Sequence, residues 1–168
     1  MTQSKIAHDI KHRKVANDEF YTPDDLVKFL ISLCPFHGRD SLLDPAYGKG
    51  AFYDAFPKDR EVSYLTKKDD FLHHDEKYDW LITNPPYSLV DDWLEHSCDV
   101  ANKGFAYLLG LHNLTPRRME ICEKRGFYIS KIHICKVFKW YGISAFVVWE
   151  KSAEKRKVEM TYDRKVWY

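Results

Sequence analysis

Leu42-Leu43-Asp44-Pro45-Ala46-Tyr47-Gly48-Lys49-Gly50 reads as a short strand, an acid at its carboxyl end, and two glycines one residue apart ahead of a helical pattern over 50–56. In an open α/β sheet, ligands bind outside the carboxyl ends of the strands, where such a loop falls. Glycine lets the backbone approach a ligand closely, and a helix N-terminus receives negative charge. A plain turn accounts for the same two glycines. A dinucleotide fingerprint does not fit, because Tyr53 stands where its third glycine belongs, and the phosphate-loop pattern GxxxxGK[ST] is absent.

Working outward, residues 1–19 read as a polar, basic arm. Thr22-Pro23-Asp24-Asp25 then supplies an N-cap, a proline at the first helical position and acids at the positive end of the helix. Leu26, Val27, Phe29, Leu30 and Leu33 form the apolar stripe of that helix, which Pro35 and Gly38 end. Beyond Gly50 the spacing predicts a strand at 61–66, a strand at 78–83 with a helix at 89–101, and a strand at 105–111 with a helix at 116–125. This βα alternation implies a doubly wound, mostly parallel sheet. The runs 128–137 and 144–150 are joined by only 138–143, too short for a crossover helix, so an antiparallel C-terminal hairpin is expected. Residues 20–150 make up the main domain. Residues 151–168 are a basic tail or, given Val158, Met160, Tyr162 and Val166, a final strand.

Composition agrees with one globular domain. The 168 residues are 45% apolar and 15% aromatic, enough for a substantial core, and 30% charged. The longest uncharged apolar runs, 104–111 and 142–149, fall well short of the roughly 20 residues of a bilayer span, and residues 1–20 lack the apolar centre of a secretion signal. Cys34, Cys98, Cys122 and Cys135 form no CxxC pair and read as reduced thiols of an intracellular, cytoplasmic protein. His8, His12, His73 and His74 have no ligands at metal spacing and read as surface residues, so no metal is expected. The net charge of +1 hides basic ends, which act either as solvated tails or as phosphate contacts.

The second chemical motif is Asn84-Pro85-Pro86-Tyr87, directly after the buried-looking run 78–83. Consecutive prolines make a rigid loop and turn carbonyls outward, beside an amide side chain and an aromatic plane. Asn84 Oδ1 and the Pro85 carbonyl suit the two hydrogens of an amino group on a planar ring, with Tyr87 stacking on that ring. As a bare turn the loop would carry no chemistry.

On these residues the chain resembles the S-adenosylmethionine-dependent amino-methyltransferases, most closely the adenine-N6 DNA methyltransferases. Asp44, Pro45, Gly48 and Gly50 match the family's DPxxGxG cofactor loop, in which Ala46 also falls, and Asn84 to Tyr87 match its [DNS]PP[YFW] catalytic loop. Tyr21, Thr22 and Pro23 resemble the motif beside the methionine part of the cofactor, and Asp70 and Phe71 the pair that meets its adenine. The resemblance implies a Rossmann-like class I methyltransferase fold, S-adenosylmethionine as cofactor, and methyl transfer to adenine N6 in DNA by Asn84, Pro85, Pro86 and Tyr87. RNA is an alternative substrate, and a catalytically inert nucleic-acid-binding subunit an alternative role. The family usually ends its second strand with an acid for the ribose hydroxyls, where this chain offers Tyr64 or Thr66. No target-recognition segment is visible. Base contacts would therefore come from the basic ends, from 115–126 with Arg117, Arg118, Lys124 and Arg125, or from a partner subunit or dimer.

Overall fold

Leu26, Val27, Leu30 and Ile31 are buried along one side of α1 (Asp24–Ser32), as a 3.6-residue period requires. The computed structural model describes residues 22–139, 141–155 and 157–167. The expected basic arm over 1–19 and Tyr21 lie outside the described residues. Pro23, not Thr22, occupies the cap position of α1, and no side chain caps it. Thr22 is buried instead.

The chain continues as β1 (Leu42–Asp44), α2 (Ala51–Ala55), β2 (Val62–Tyr64), β3 (Tyr78–Thr83), α3 (Val90–Val100), β4 (Ala101–Gly110), α4 (Pro116–Glu123), β5 (Phe127–Lys136), β6 (Ser144–Lys151) and β7 (Glu159–Val166). The strands form one sheet in the order β2-β1-β3-β4-β6-β5-β7. The β2-β1, β1-β3, β3-β4 and β5-β7 pairs are parallel, and β6 runs against both of its neighbours. The antiparallel hairpin is therefore β5–β6, with β6 inserted next to β4.

Each central strand sends alternate side chains to opposite faces. Leu43, Leu81, Phe105, Tyr107, Val147 and Trp149 pack beneath Trp93, Leu94 and Cys98 of α3 and Cys122 of α4. Leu42, Trp80, Ile82, Ala106, Phe146 and Val148 pack beneath α1, Phe52 of α2 and Phe56 just after it. Continuous burial over 145–149 follows from this cover on both faces.

Strand β4 starts four residues before the expected position. Asn102, Lys103 and Gly104 look like a turn, but Gly104 is a packing glycine. A Cβ there would lie 2.4 Å from the Trp149 carbonyl oxygen and 2.5 Å from the Trp80 ring. Lys103 pairs with Asp40, which also accepts from Trp80 Nε1 at 3.2 Å. The strand thus begins where its small residue lets two tryptophans close over it.

At the far edge, His133 of β5 reaches Thr161 Oγ1 at 2.9 Å and Asp163 Oδ2 at 3.2 Å on β7. Trp167 donates to the same carboxylate at 3.0 Å, and Phe29 of α1 packs on both rings. These contacts join the last strand to the first helix. Gly104→Ala should destabilise the fold by about 1–3 kcal/mol, the range for overpacking a filled core. Chemical denaturation measures this, and an unchanged unfolding midpoint would remove Gly104 from the packing argument.

Candidate active site

The carboxyl ends of β1 and β3 hold the two motif loops side by side. Asp44 is buried at the end of β1. Its Oδ1 accepts from the Ala46 amide at 3.1 Å and from Thr83 Oγ1, at the end of β3, at 2.6 Å. Burial raises the carboxyl to about 6, against the partial counter-effects of the Thr83 hydroxyl and the Ala46 and Tyr53 amides. Asp44 thus ties the first loop to the strand that carries the second, and it stands behind the cleft wall.

That wall encloses a cleft of about 580 Å³. Pro45, Ala46, Tyr47, Gly48 and Lys49 form one side, Thr66, Lys67, Asp69, Asp70 and Phe71 another, and Asn84, Pro86, Leu89 and Trp93 the third, with Thr22 at the edge. The volume matches that of a typical cofactor or small-ligand site. Gly48 has φ +55, and a Cβ on it would face open space with one atom, Ala46 O at 3.7 Å, in ordinary contact. The positive φ favours glycine, and the bare backbone forms a cradle that a side chain would fill. Gly50, at φ +87, is needed for another reason: a Cβ there would meet the Tyr47 ring at 2.8 Å.

Asp70 and Phe71 divide their tasks. The Asp70 carboxylate is exposed and accepts from the Leu72 amide at 3.1 Å, while His73 Nδ1 lies 2.7 Å away and, first among the causes, holds it below the usual carboxylate range. Phe71 is buried against Trp93 and His96. Asp69 accepts from the Thr66 amide at 2.9 Å and from its hydroxyl at 2.8 Å. Where the sequence lacks an acid at the end of β2, Tyr64 packs on Tyr47 and Tyr53, with ring centroids 4.3 and 4.8 Å apart.

Asn84 also borders a second, much smaller pocket with Thr22, Tyr87, Leu108, Val137, Phe138, Tyr141 and Ser144. Its volume of about 10 Å³ admits roughly one water. The Tyr87 and Tyr141 ring centroids are 6.2 Å apart. The Pro86 carbonyl is committed to the Leu89 amide at 3.1 Å. Pro23 and Pro85 line neither cavity. Sequence reasoning missed Phe138 and Tyr141. The signal was present in the aromatic density of 138–141, which a hairpin turn does not need.

The cations of 115–126 are largely engaged with acids. Arg118 Nε bonds Asp91 at 2.5 Å, Arg117 lies 3.7 Å from Asp91, Lys124 pairs with Glu120 at 2.8 Å and Arg125 with Glu95 at 3.3 Å. Among the described residues, no group of three metal-ligating side chains occurs, and no helix is long and apolar enough to cross a membrane.

No protein-family model matches the sequence, and no curated protein does. Solved structures do match. One described as a class I S-adenosylmethionine-dependent methyltransferase from Listeria monocytogenes superimposes with a TM-score of 0.67 at 14% identity, over 99% of this chain and 71% of that one. One described as the modification subunit of a type I restriction enzyme from Vibrio vulnificus gives 0.65 at 13%, over 94% and 50%. Magnesium protoporphyrin IX methyltransferase from Synechocystis, with bound S-adenosylmethionine, gives 0.60 at 13%, over 77% of each chain. The fold is therefore that of the class I S-adenosylmethionine-dependent methyltransferases.

Asp44 sets a pH dependence. Its folded value of about 6 exceeds the ordinary 3.8, so the folded state holds this proton more tightly and stability from this group falls as pH rises from about 4 to 6. The change is on the order of 3 kcal/mol. Asp44→Asn should remove that fall, so urea denaturation of both proteins at pH 4 and pH 7 should diverge in slope. Parallel pH profiles would contradict a buried, proton-retaining Asp44.

Proposed function

We propose that this chain transfers a methyl group from S-adenosylmethionine to the N6 amino group of adenine in DNA. The observation that carries this reading is the meeting of the Gly48 loop and Asn84 on one cleft, with Asn84 also facing a pocket walled by Tyr87 and Tyr141. Asn84, like Thr22, thus borders a cofactor-sized space on one side and a small aromatic pocket on the other.

Gly48, Tyr47, Asp70 and Phe71 would hold the cofactor, together with Thr22 at the cleft edge and Pro45 and Ala46 in the loop. Asp44 and Gly50 support that loop from behind, and Tyr21 and Pro23 belong to the same proposed motif. When bound, S-adenosylmethionine supplies an electrophilic methyl group.

An aromatic amine is a poor nucleophile because its lone pair is shared with the ring. Asn84 Oδ1 accepts one of its hydrogens, which favours a pyramidal nitrogen and frees the lone pair. The Pro85 carbonyl, whose residue lines neither cavity, takes the second hydrogen only after the pocket opens. Pro85 and Pro86 fix the loop, so the Asn84 acceptor is set before the substrate arrives. No strong base is required, because the nitrogen becomes acidic once it is methylated.

The small pocket is too closed for a base as it stands. Entry of a flipped adenine requires the 137–143 connection to move, after which Tyr87 and Tyr141 offer faces for stacking. The ion pairs around Arg117, Arg118, Lys124 and Arg125 leave few cations on α4 for reading a groove. This supports recognition through a partner subunit or a second copy.

The test is incubation with S-adenosylmethionine and DNA or RNA, followed by mass spectrometry of the digested nucleosides. N6-methyladenine from DNA is expected, and Asn84→Ala should lower the rate by about two to three orders of magnitude with cofactor affinity retained. Product in RNA alone would move the substrate to RNA. N4-methylcytosine alone, or near wild-type activity of Asn84→Ala, would overturn the assignment.

A further inference from the structure

Gly110, the last residue of β4, pairs with Ser144, which lines the small pocket with Asn84 and Tyr87. A Cβ on Gly110 would lie 2.9 Å from His112 Nδ1 and 2.9 Å from the Tyr141 hydroxyl. Its φ of −64° is ordinary, so the glycine serves space rather than backbone freedom. The His112 imidazole and the Tyr141 hydroxyl both close over this point. Tyr141 lines the small pocket, and His112, an exposed residue, stands next to that lining rather than in it.

The orientation of His112 follows from a chain of donors. Arg118 Nε donates to Asp91 Oδ1 at 2.5 Å, and its Nη1 donates to Asn113 Oδ1 at 2.5 Å and to the Asn113 carbonyl at 3.2 Å. A guanidinium only donates, so the Asn113 atom facing it is the amide oxygen. Asn113 Nδ2 then faces His112 Nε2, 3.3 Å away. An amide nitrogen also only donates, so Nε2 accepts, and the ring proton of neutral His112 sits on Nδ1. Asn113 is buried, which holds the relay in place.

We propose that His112 is a specificity-determining residue, its Nδ1–H, with the Tyr141 hydroxyl beside it, donating to a ring nitrogen next to the carbon that bears the target amine. This rests on the functional reading above and deepens it. Asn84 accepts from the amine, and His112 donates to the adjacent acceptor. In adenine that acceptor is N1, the one ring nitrogen bonded to the amino-bearing carbon. Asn113, Arg118 and Asp91 are positioning residues that act through the tautomer.

Two measurements on the full chain decide it. Nitrogen-15 spectra of the His112 ring should show a protonated Nδ1 and an unprotonated Nε2, and Asn113→Leu should lose this pattern. Methylation of oligonucleotides carrying adenine, 1-deazaadenine or 7-deazaadenine should show kcat/KM reduced about tenfold for 1-deazaadenine, the scale of one lost hydrogen bond, and little changed for 7-deazaadenine. His112→Ala should abolish that discrimination, and His112→Gln, which keeps an N–H donor, should restore part of it. A ring protonated on Nε2 would overturn the relay, and unchanged analogue discrimination in His112→Ala would overturn the substrate contact. If the wild-type protein methylates no adenine in any strand, the functional reading fails and takes the substrate contact with it, which the ring spectrum distinguishes from failure of the relay.

Discussion

Thr83 donates its hydroxyl hydrogen to a carboxylate oxygen 39 residues earlier in the chain, and on this bond the geometry of the site depends. Asp44 ends β1 and Thr83 ends β3. The same carboxylate oxygen takes the Ala46 amide and so bends the loop that carries Gly48. The Asn84–Tyr87 loop leaves β3 from the residue that closes the bond. Two loops that would otherwise wander independently share one buried anchor, and the cleft between them keeps its width. A buried carboxylate in an apolar sheet is costly, which its raised protonation range expresses. Its hydrogen bonds offset part of that cost and fix one arrangement of the loops.

Much of this arrangement was legible in the chain itself. Strand β3 was readable because a mostly apolar run ended in Asn-Pro-Pro, and α1 because its buried residues keep a helical period. Gly48 was readable as a loop glycine after a strand and an acid, and its φ of +55 suits a residue without a side chain. What was not legible depends on distant partners. Gly104 suggests a turn until Trp80 and Trp149 are seen to close over it. Likewise, Gly50 looks like part of a ligand loop, whereas its space is taken by the Tyr47 ring. Arg118 looks like an exposed cation, but it is held between Asp91 and Asn113 because α3 and α4 meet there. Local patterns carry period and turn chemistry; they do not carry the identity of a neighbour contributed by another strand.

The end of β2 shows how one local change is accommodated. Without an acid there, the surface is aromatic, with Tyr47, Tyr53 and Tyr64 packed together, and the next polar groups toward the cleft belong to the 66–69 turn. Of these rings Tyr47 lines the cleft, and Thr66, Lys67 and Asp69 of the turn supply its polar groups on that side. At the other end of the site, the β5–β6 connection brings Phe138 and Tyr141 across to Tyr87, so the antiparallel hairpin supplies the wall that the parallel strands lack. The fold divides the work accordingly: parallel strands present the wide cleft, and the hairpin covers the small pocket beside it.

The most direct test of the account is a calorimetric titration of S-adenosylmethionine into the wild-type protein and into Gly48→Val. The account predicts saturable one-to-one binding to the wild type and loss of that binding in a Gly48→Val protein that remains folded by circular dichroism. Absence of binding to the wild type, or equal binding to both proteins, would contradict it.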